Sequence, residues 1–306
     1  MSLASRLLPK GPNGLGYGST AEEVTAGLDL SGRCILVTGG NSGIGLETVR
    51  VLAARGARVI AAGRTREKVS EATAGLPGEI VPLACDLARP ASVRAAVDSI
   101  AVQKLSPHAV ICNAGIMALP KLEQAFGYEL QFFTNHIGHF LLVTSLLPHV
   151  ASDARFVIVS SNAHRRAPAG GIQFDNLSGD QGYAPQRAYS QSKLANLLFA
   201  KELGRRLSGT GKTANALHPG VIKTNLMRTL PGLAEVVLTL ANPIALKSVP
   251  EGAATQCYLA VHPAVAGISG EYFSHCNVAA TSEVARDAAL AARLWQESER
   301  IVAGLP

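Results

Sequence analysis

A chain of 306 residues, 47% hydrophobic and only 16% charged, can bury a large core without disulfides or a structural metal. Disordered chains and miniature cysteine-stapled scaffolds are thereby excluded. Lys and Arg outnumber Asp and Glu by 28 to 22 for a net charge of +6, yet the basic residues are scattered, and a solvated surface with one anion-binding site accounts for them without nucleic acid.

Residues 1–30 read as an N-terminal extension. Its first eighteen residues carry Pro9, Pro12 and several glycines but no long apolar core, so they do not resemble a secretory signal. Ser19 or Thr20 then caps a helix with Glu22 and Glu23 in its first turn. Residues 33–38 (RCILVT) form a short, almost wholly apolar strand with glycines directly behind it, which suits a parallel strand covered on both faces. The alternation repeats as helix 44–55, strand 58–62, helix 66–74, strand 79–83, helix 91–103, strand 108–112, helix 130–147 and strand 155–160. A helix over 189–207, a strand over 213–217, a helix over 250–260 and a last helix over 282–303 complete the pattern. Such bookkeeping predicts one α/β domain, 31–306, with a doubly wound parallel sheet wrapped by helices.

The five cysteines include no C-x-x-C pair, and Cys34, Cys85 and Cys112 lie in or beside apolar runs. They read as reduced packing residues of an intracellular, cytoplasmic protein. No stretch reaches eighteen uninterrupted apolar residues, so no transmembrane segment is expected.

The first strand runs into Thr38-Gly39-Gly40-Asn41-Ser42-Gly43-Ile44-Gly45, where the next helix begins. Glycines there let the backbone turn tightly and approach a diphosphate, whose charge meets the unpaired N–H groups and positive end of the helix. Gly39, Asn41, Ser42, Gly43, Ile44 and Gly45 are the expected contacts, although a glycine turn between strand and helix can also be purely structural. The second strand ends at Ala61-Ala62-Gly63-Arg64 with no acid before Glu67. An acid there would select NAD, whereas Arg64 argues for the 2′-phosphate of NADP(H); its plain alternative is a surface arginine at a strand end. Asp86, with Leu87 beside it, is a candidate for the adenine side, and an N-cap for the following turn is the other reading.

Further on stand Asn113-Ala114-Gly115 after the fourth strand, Asn135 inside the long helix, Ser160 and Ser161 ending the fifth strand, and Tyr189-Ser190-Gln191-Ser192-Lys193. Tyr189 and Lys193 share one helix face. A phenol with pKa about 10 is a poor proton donor or acceptor at neutral pH, and an adjacent ammonium is expected to lower that value. A Y-x-x-x-K spacing alone occurs by chance as a surface pair. What carries weight is the order, because these groups fall at the carboxyl ends of successive strands, where open α/β sheets bind ligands.

In these motifs the chain resembles the short-chain dehydrogenase/reductases, over nearly its whole length. It is most similar to the branch of retinol dehydrogenases and WW-domain-containing oxidoreductases, through residues 19–30 (STAEEVTAGLDL), 62–64 (AGR), 135–140 (NHIGHF), 160–164 (SSNAH), 218–220 (HPG), 270–276 (GEYFSHC) and Leu294-Trp295. The resemblance implies a Rossmann fold with a mostly parallel seven-stranded sheet. It implies Tyr189 as acid for carbonyl reduction and base for alcohol oxidation, Lys193 tuning it and holding the nicotinamide ribose, Ser161 holding the substrate oxygen, and Asn135 supporting a water relay. It further implies Asn113, Ala114 and Gly115 along the cofactor cleft, and Pro219, Gly220, Val221 and Thr224 at the nicotinamide amide. Ser161 precedes Tyr189 by 28 positions, more than in many members, so residues 162–188 are expected to form a lobe beside the site, and the choice between Ser160 and Ser161 stays open.

Residues 226–248 are apolar but broken by Pro231, Gly232 and Pro243. The resemblance implies that this region covers the substrate, and an apolar lid of this kind predicts a hydrophobic ketone, aldehyde or alcohol. The alternatives for this stretch are a homodimer or homotetramer contact and peripheral contact with a membrane surface. His136 and His139 lie three apart without an acid or cysteine at ligand spacing, so no metal is expected. Ser161, His164 and Asp175 could suggest a hydrolase, but no G-x-S-x-G is present. The expected activity is an NADP(H)-dependent oxidoreductase, leaning to ketoreduction; a catalytically silent NADP(H)-binding regulator is the alternative.

Overall fold

The computed structural model describes residues 8–222 and 246–306; Thr224 and residues 226–245 of the apolar stretch lie outside them. Helix α1, Ala21–Val24, opens with a capping box: Thr20 Oγ1 accepts the Glu23 N–H at 3.2 Å, and Glu23 Oε2 accepts the Thr20 N–H at 3.0 Å. In chain order there follow β1 Cys34–Thr38, α2 Gly43–Ala54, β2 Arg58–Gly63, α3 Arg66–Thr73, β3 Glu79–Ala84, α4 Pro90–Val102 and β4 Ala109–Cys112. A small hairpin, β5 Gln124–Ala125 and β6 Tyr128–Glu129, leads into helix α5, which runs through Leu130–Phe132, a π turn at Phe133–Ile137, and Gly138–Leu146. The remainder is β7 Arg155–Val159, α6 Pro185–Arg206, β8 Thr213–His218, α7 Val249–Val261, β9 Tyr272–Ser274, β10 Asn277–Val278 and α8 Ala288–Ala303.

Among the described residues the central sheet has the order β10-β9-β8-β7-β4-β1-β2-β3. Seven strands, β3 through β9 in that order, run parallel, and β10 joins β9 antiparallel at the edge. Successive strand residues face opposite sides, and both sides are covered. Leu36, Val110 and Ile158 pack under α4, α5, α6 and α8, while Ile35, Val37, Ile111 and Val157 pack against α1, α2 and α7. Continuous apolar strand runs were legible for this reason. The chain leaves β1 toward β2 on one side and returns to β4 on the other, so a crevice opens above the ends of β1 and β4.

Several expectations need correction. Helix α6 begins at Pro185, one turn before Tyr189, because proline suits a first helical turn whose N–H is unpaired anyway. The final helix starts at Ala288 rather than at 282, where Asp287 Oδ1 accepts the Leu290 N–H at 3.0 Å; a 3₁₀ turn, Val284–Arg286, precedes it. The residue pattern places six strands and the resemblance implies seven; the described sheet has eight, with β9 and β10 added at its edge. They are very short, and the turn between them holds His275 and Cys276 at φ 55° and 63°, a conformation usually signalled by Asn-Gly. Ala21, Val24 and Leu30, within residues 1–30, belong to the core.

Candidate active site

The turn after β1 is built for close approach of a ligand to the backbone. Gly39 and Gly43 have φ 68° and 53°, and a Cβ on Gly45 would lie 2.1 Å from Gly39 O and 2.6 Å from Asn113 Nδ2. Ser42 occupies the N-cap of α2, yet its side chain caps nothing and no acid sits in the first turn, so the helix presents its positive end to the crevice. The turn after β4 is tied to it: Asn113 Nδ2 donates to Thr38 O at 2.8 Å, and Thr38 Oγ1 accepts the N–H groups of Asn113 and Ala114 at 3.0 Å each. This uncapped cradle fits the diphosphate of a dinucleotide.

Around it the other expected cofactor residues fall as follows. Arg64 is exposed at the end of β2, and none of the ion pairs among the described residues engages it. Asn41 Oδ1 would lie 3.2 Å from a Cβ on neighbouring Gly63. Asp86 Oδ1 accepts the Ala88 N–H at 3.1 Å, so the turn-forming reading of this residue is realised. Buried Leu87 supports α5 directly, since a Cβ on Gly138 would lie 2.3 Å from Leu87 O. Pro219, Gly220 and Val221 follow β8, with Gly220 at φ 104° and the stem of buried Lys247 against it.

The acid–base group adjoins this cradle. A Cβ on Gly115 would lie 3.1 Å from Asn135 Oδ1 and 3.5 Å from Lys193 Nζ. Lys193 Nζ stands 5.7 Å from the Tyr189 ring centre and donates to Val159 O at 3.0 Å. Asn135 is wholly buried: Oδ1 accepts the Ile116 N–H at 2.8 Å, and Nδ2 donates to Ile116 O at 2.9 Å and Ser192 Oγ at 3.0 Å. Ser192 Oγ in turn donates to Tyr189 O at 2.8 Å.

The two serines divide. Ser160 Oγ donates to Lys193 O, whereas Ser161 Oγ accepts the Ala163 N–H at 3.1 Å and faces the Tyr189 side chain. His164, a candidate triad member by sequence, meets the Ser161 carbonyl through Nδ1 at 2.7 Å, and its Nε2 accepts the Ser282 N–H at 3.3 Å. Neither nitrogen is paired with the serine hydroxyl, as a Ser-His hydrolase would need. His136 and His139 also part company, His136 Nε2 reaching Ser298 Oγ and His139 Nε2 reaching Thr38 Oγ1.

One electrostatic expectation is reversed. Burial pushes the Tyr189 phenol up to about 12, opposed only by the Ser161 hydrogen bond, and pulls Lys193 down to about 8. The phenol therefore stands neutral at pH 7, and burial adds about 3 kcal/mol against its ionised form relative to a phenol in water. Sequence reasoning weighed the neighbouring charge without the loss of water around both groups. It also missed Ser192, whose three-residue offset from Tyr189 was visible, and Thr38, hidden as an ordinary strand residue.

Residues 33–232 match the model of a family described as short chain dehydrogenase. The chain belongs to the short-chain dehydrogenase/reductase family. Short-chain dehydrogenase TIC 32 B, chloroplastic, of Brassica napus is 41% identical over 97% of each chain. Retinol dehydrogenase 14 of Homo sapiens is 39% identical over 89% of this chain and 87% of its own. WW domain-containing oxidoreductase of Danio rerio is 40% identical over 92% of this chain and 71% of its own. A crystal structure of an uncharacterized protein from Mycobacterium paratuberculosis superposes with a TM-score of 0.74 at 31% identity, over 100% of this chain and 99% of that one. This short-chain dehydrogenase/reductase thus lies in the retinol dehydrogenase and WW domain-containing oxidoreductase branch, and its fold is the family's Rossmann fold. No helix among its described residues is long and apolar enough to cross a membrane.

Proposed function

We propose that the protein is an NADP(H)-dependent reductase of hydrophobic ketones or aldehydes, able to oxidise the corresponding alcohols in reverse. The observation that carries this reading is the contact of the buried Asn135, Tyr189 and Lys193 group with the turn at Gly115, beside an uncapped glycine cradle. Gly39, Asn41, Ser42, Gly43, Ile44 and Gly45 would hold the diphosphate; Arg64, exposed and engaged by no ion pair among the described residues, would meet a 2′-phosphate. A bound reduced nicotinamide would supply the hydride that turns the carbonyl carbon into C–H.

Tyr189 O–H gives its proton to the carbonyl oxygen as charge develops there, and Ser161 Oγ bonds the same oxygen. The phenol regains its proton from solvent by way of Lys193. A neutral phenol at pH 7 favours the reductive direction, which is why ketoreduction is preferred here. The apolar stretch 226–248 supports a hydrophobic substrate by composition alone. Five free, buried cysteines fit a reducing compartment such as the cytoplasm.

The test is Tyr189→Phe against a panel of aromatic ketones, long aldehydes, steroids and retinoids, following NADPH absorbance. Turnover should fall by about a thousandfold while NADPH binding stays within a few-fold. Persisting turnover would remove Tyr189 as the acid.

A further inference from the structure

Helix α5 widens at the point where it carries Asn135. The Gly138 N–H donates to Phe133 O, five residues back rather than four, and the next residue, His139, points inward and is fully buried. Its two ring nitrogens reach different parts of the site. Nδ1 lies 2.9 Å from Asn135 O and Nε2 lies 2.9 Å from Thr38 Oγ1.

The neighbours fix which nitrogen carries the proton. Thr38 Oγ1 already accepts the Asn113 and Ala114 N–H groups, and a hydroxyl oxygen has two lone pairs. Its own proton must therefore be donated, and His139 Nε2 at 2.9 Å is a far better acceptor than Ile111 O at 3.4 Å. With Nε2 accepting, Nδ1–H donates to the Asn135 carbonyl. A charged imidazolium would aim a second N–H at an oxygen with no lone pair left. Burial, together with the nearby Lys193 charge, keeps the ring neutral, its pKa drawn down to about 4.

We propose that His139 is a positioning residue that joins the turn holding the nucleotide to helix α6, which carries the acid–base pair. From Thr38 the bonds run through His139 to Asn135, from Asn135 Nδ2 to Ser192 Oγ, and from Ser192 to the Tyr189 carbonyl. The link sets how far Tyr189 stands from whatever the glycine cradle holds. Misplacement of reacting groups by about 1 Å costs as much as a hundredfold in rate. The inference rests on the reductase reading of this site.

Two nearly isosteric substitutions divide the link. His139→Asn places an amide N–H near Nδ1 and keeps the donation to Asn135 O, but loses Thr38. His139→Gln reaches the Nε2 position with an amide oxygen that accepts from Thr38, but loses Asn135 O. NADPH affinity would be read by fluorescence titration, kcat and KM with a ketone that the unmodified protein reduces, and folding by circular dichroism and melting temperature. Each variant breaks the link at one end, so both should lower kcat about thirtyfold, while NADPH binding should weaken about tenfold in His139→Asn and stay nearly unchanged in His139→Gln. An unchanged kcat in either variant, or a lower melting temperature with unchanged kinetics, would overturn the proposal and make His139 a packing residue. If the unmodified protein reduces no carbonyl at all, the reductase reading fails by itself. The nucleotide arm still decides for His139: weakening in Asn but not in Gln upholds the Thr38 tie, and equal affinities overturn it.

Discussion

Ser160 Oγ donates to the backbone carbonyl of Lys193 at 2.6 Å. The bond has a counterpart in the opposite direction, since Lys193 Nζ and Asn196 Nδ2 both donate to Val159 O at 3.0 Å. Strand β7 and helix α6 are thus pinned together where the acid–base group lies. Ser160 is spent on that joint, and Ser161 is left to face Tyr189.

The two serines should therefore fail differently. Ser161→Ala should lower kcat about a hundredfold with little change in melting temperature, as expected for one lost donor to a developing oxyanion. Ser160→Ala removes the second bond to a carbonyl that keeps its helical partner and should cost about 1 kcal/mol of stability, read by chemical denaturation, with a smaller loss of kcat.

Titration gives a second prediction. With Tyr189 near 12 and Lys193 near 8, the reductive kcat should hold through neutral pH while the ammonium persists. Above about pH 8 the buried lysine loses its proton, and the rate should fall. In Lys193→Arg the charge does not titrate in this range, so whatever rate remains should show no such fall. A profile that rises above pH 8 in the reductive direction would contradict the neutral-phenol assignment.

Cofactor choice rests on Arg64. Arg64→Asp should weaken NADPH at least about tenfold while changing NADH little, because the carboxylate repels a 2′-phosphate and can accept from a 2′-hydroxyl. Equal losses for the two nucleotides, measured by titration, would detach Arg64 from the phosphate.

The glycine cradle offers the least forgiving site. Gly45→Ala forces a methyl to within 2.1 Å of Gly39 O, a backbone atom that cannot swing aside. NADPH binding should weaken at least about tenfold, and the α2–β4 contact through Asn113 should loosen enough to lower the melting temperature.

The order of the elements and most of the candidate residues were readable from the chain because they depend on neighbours in sequence. Ile35 to Val37 must be apolar when both faces of the sheet are covered, and Gly39, Gly43 and Gly45 must lack side chains where the backbone turns tightly. The spacing of Tyr189 and Lys193 follows from the helical repeat alone. The tertiary structure decided what depends on distant partners. It assigned Ser160 to Lys193 and Ser161 to Tyr189, opened the π turn around Asn135, and formed β9 and β10 through a His-Cys turn without a glycine. It also reversed the expected shift of the Tyr189 phenol. A pKa and a hydrogen bond are set by the water removed and the atoms brought near, and those come from strands and helices tens to hundreds of residues apart.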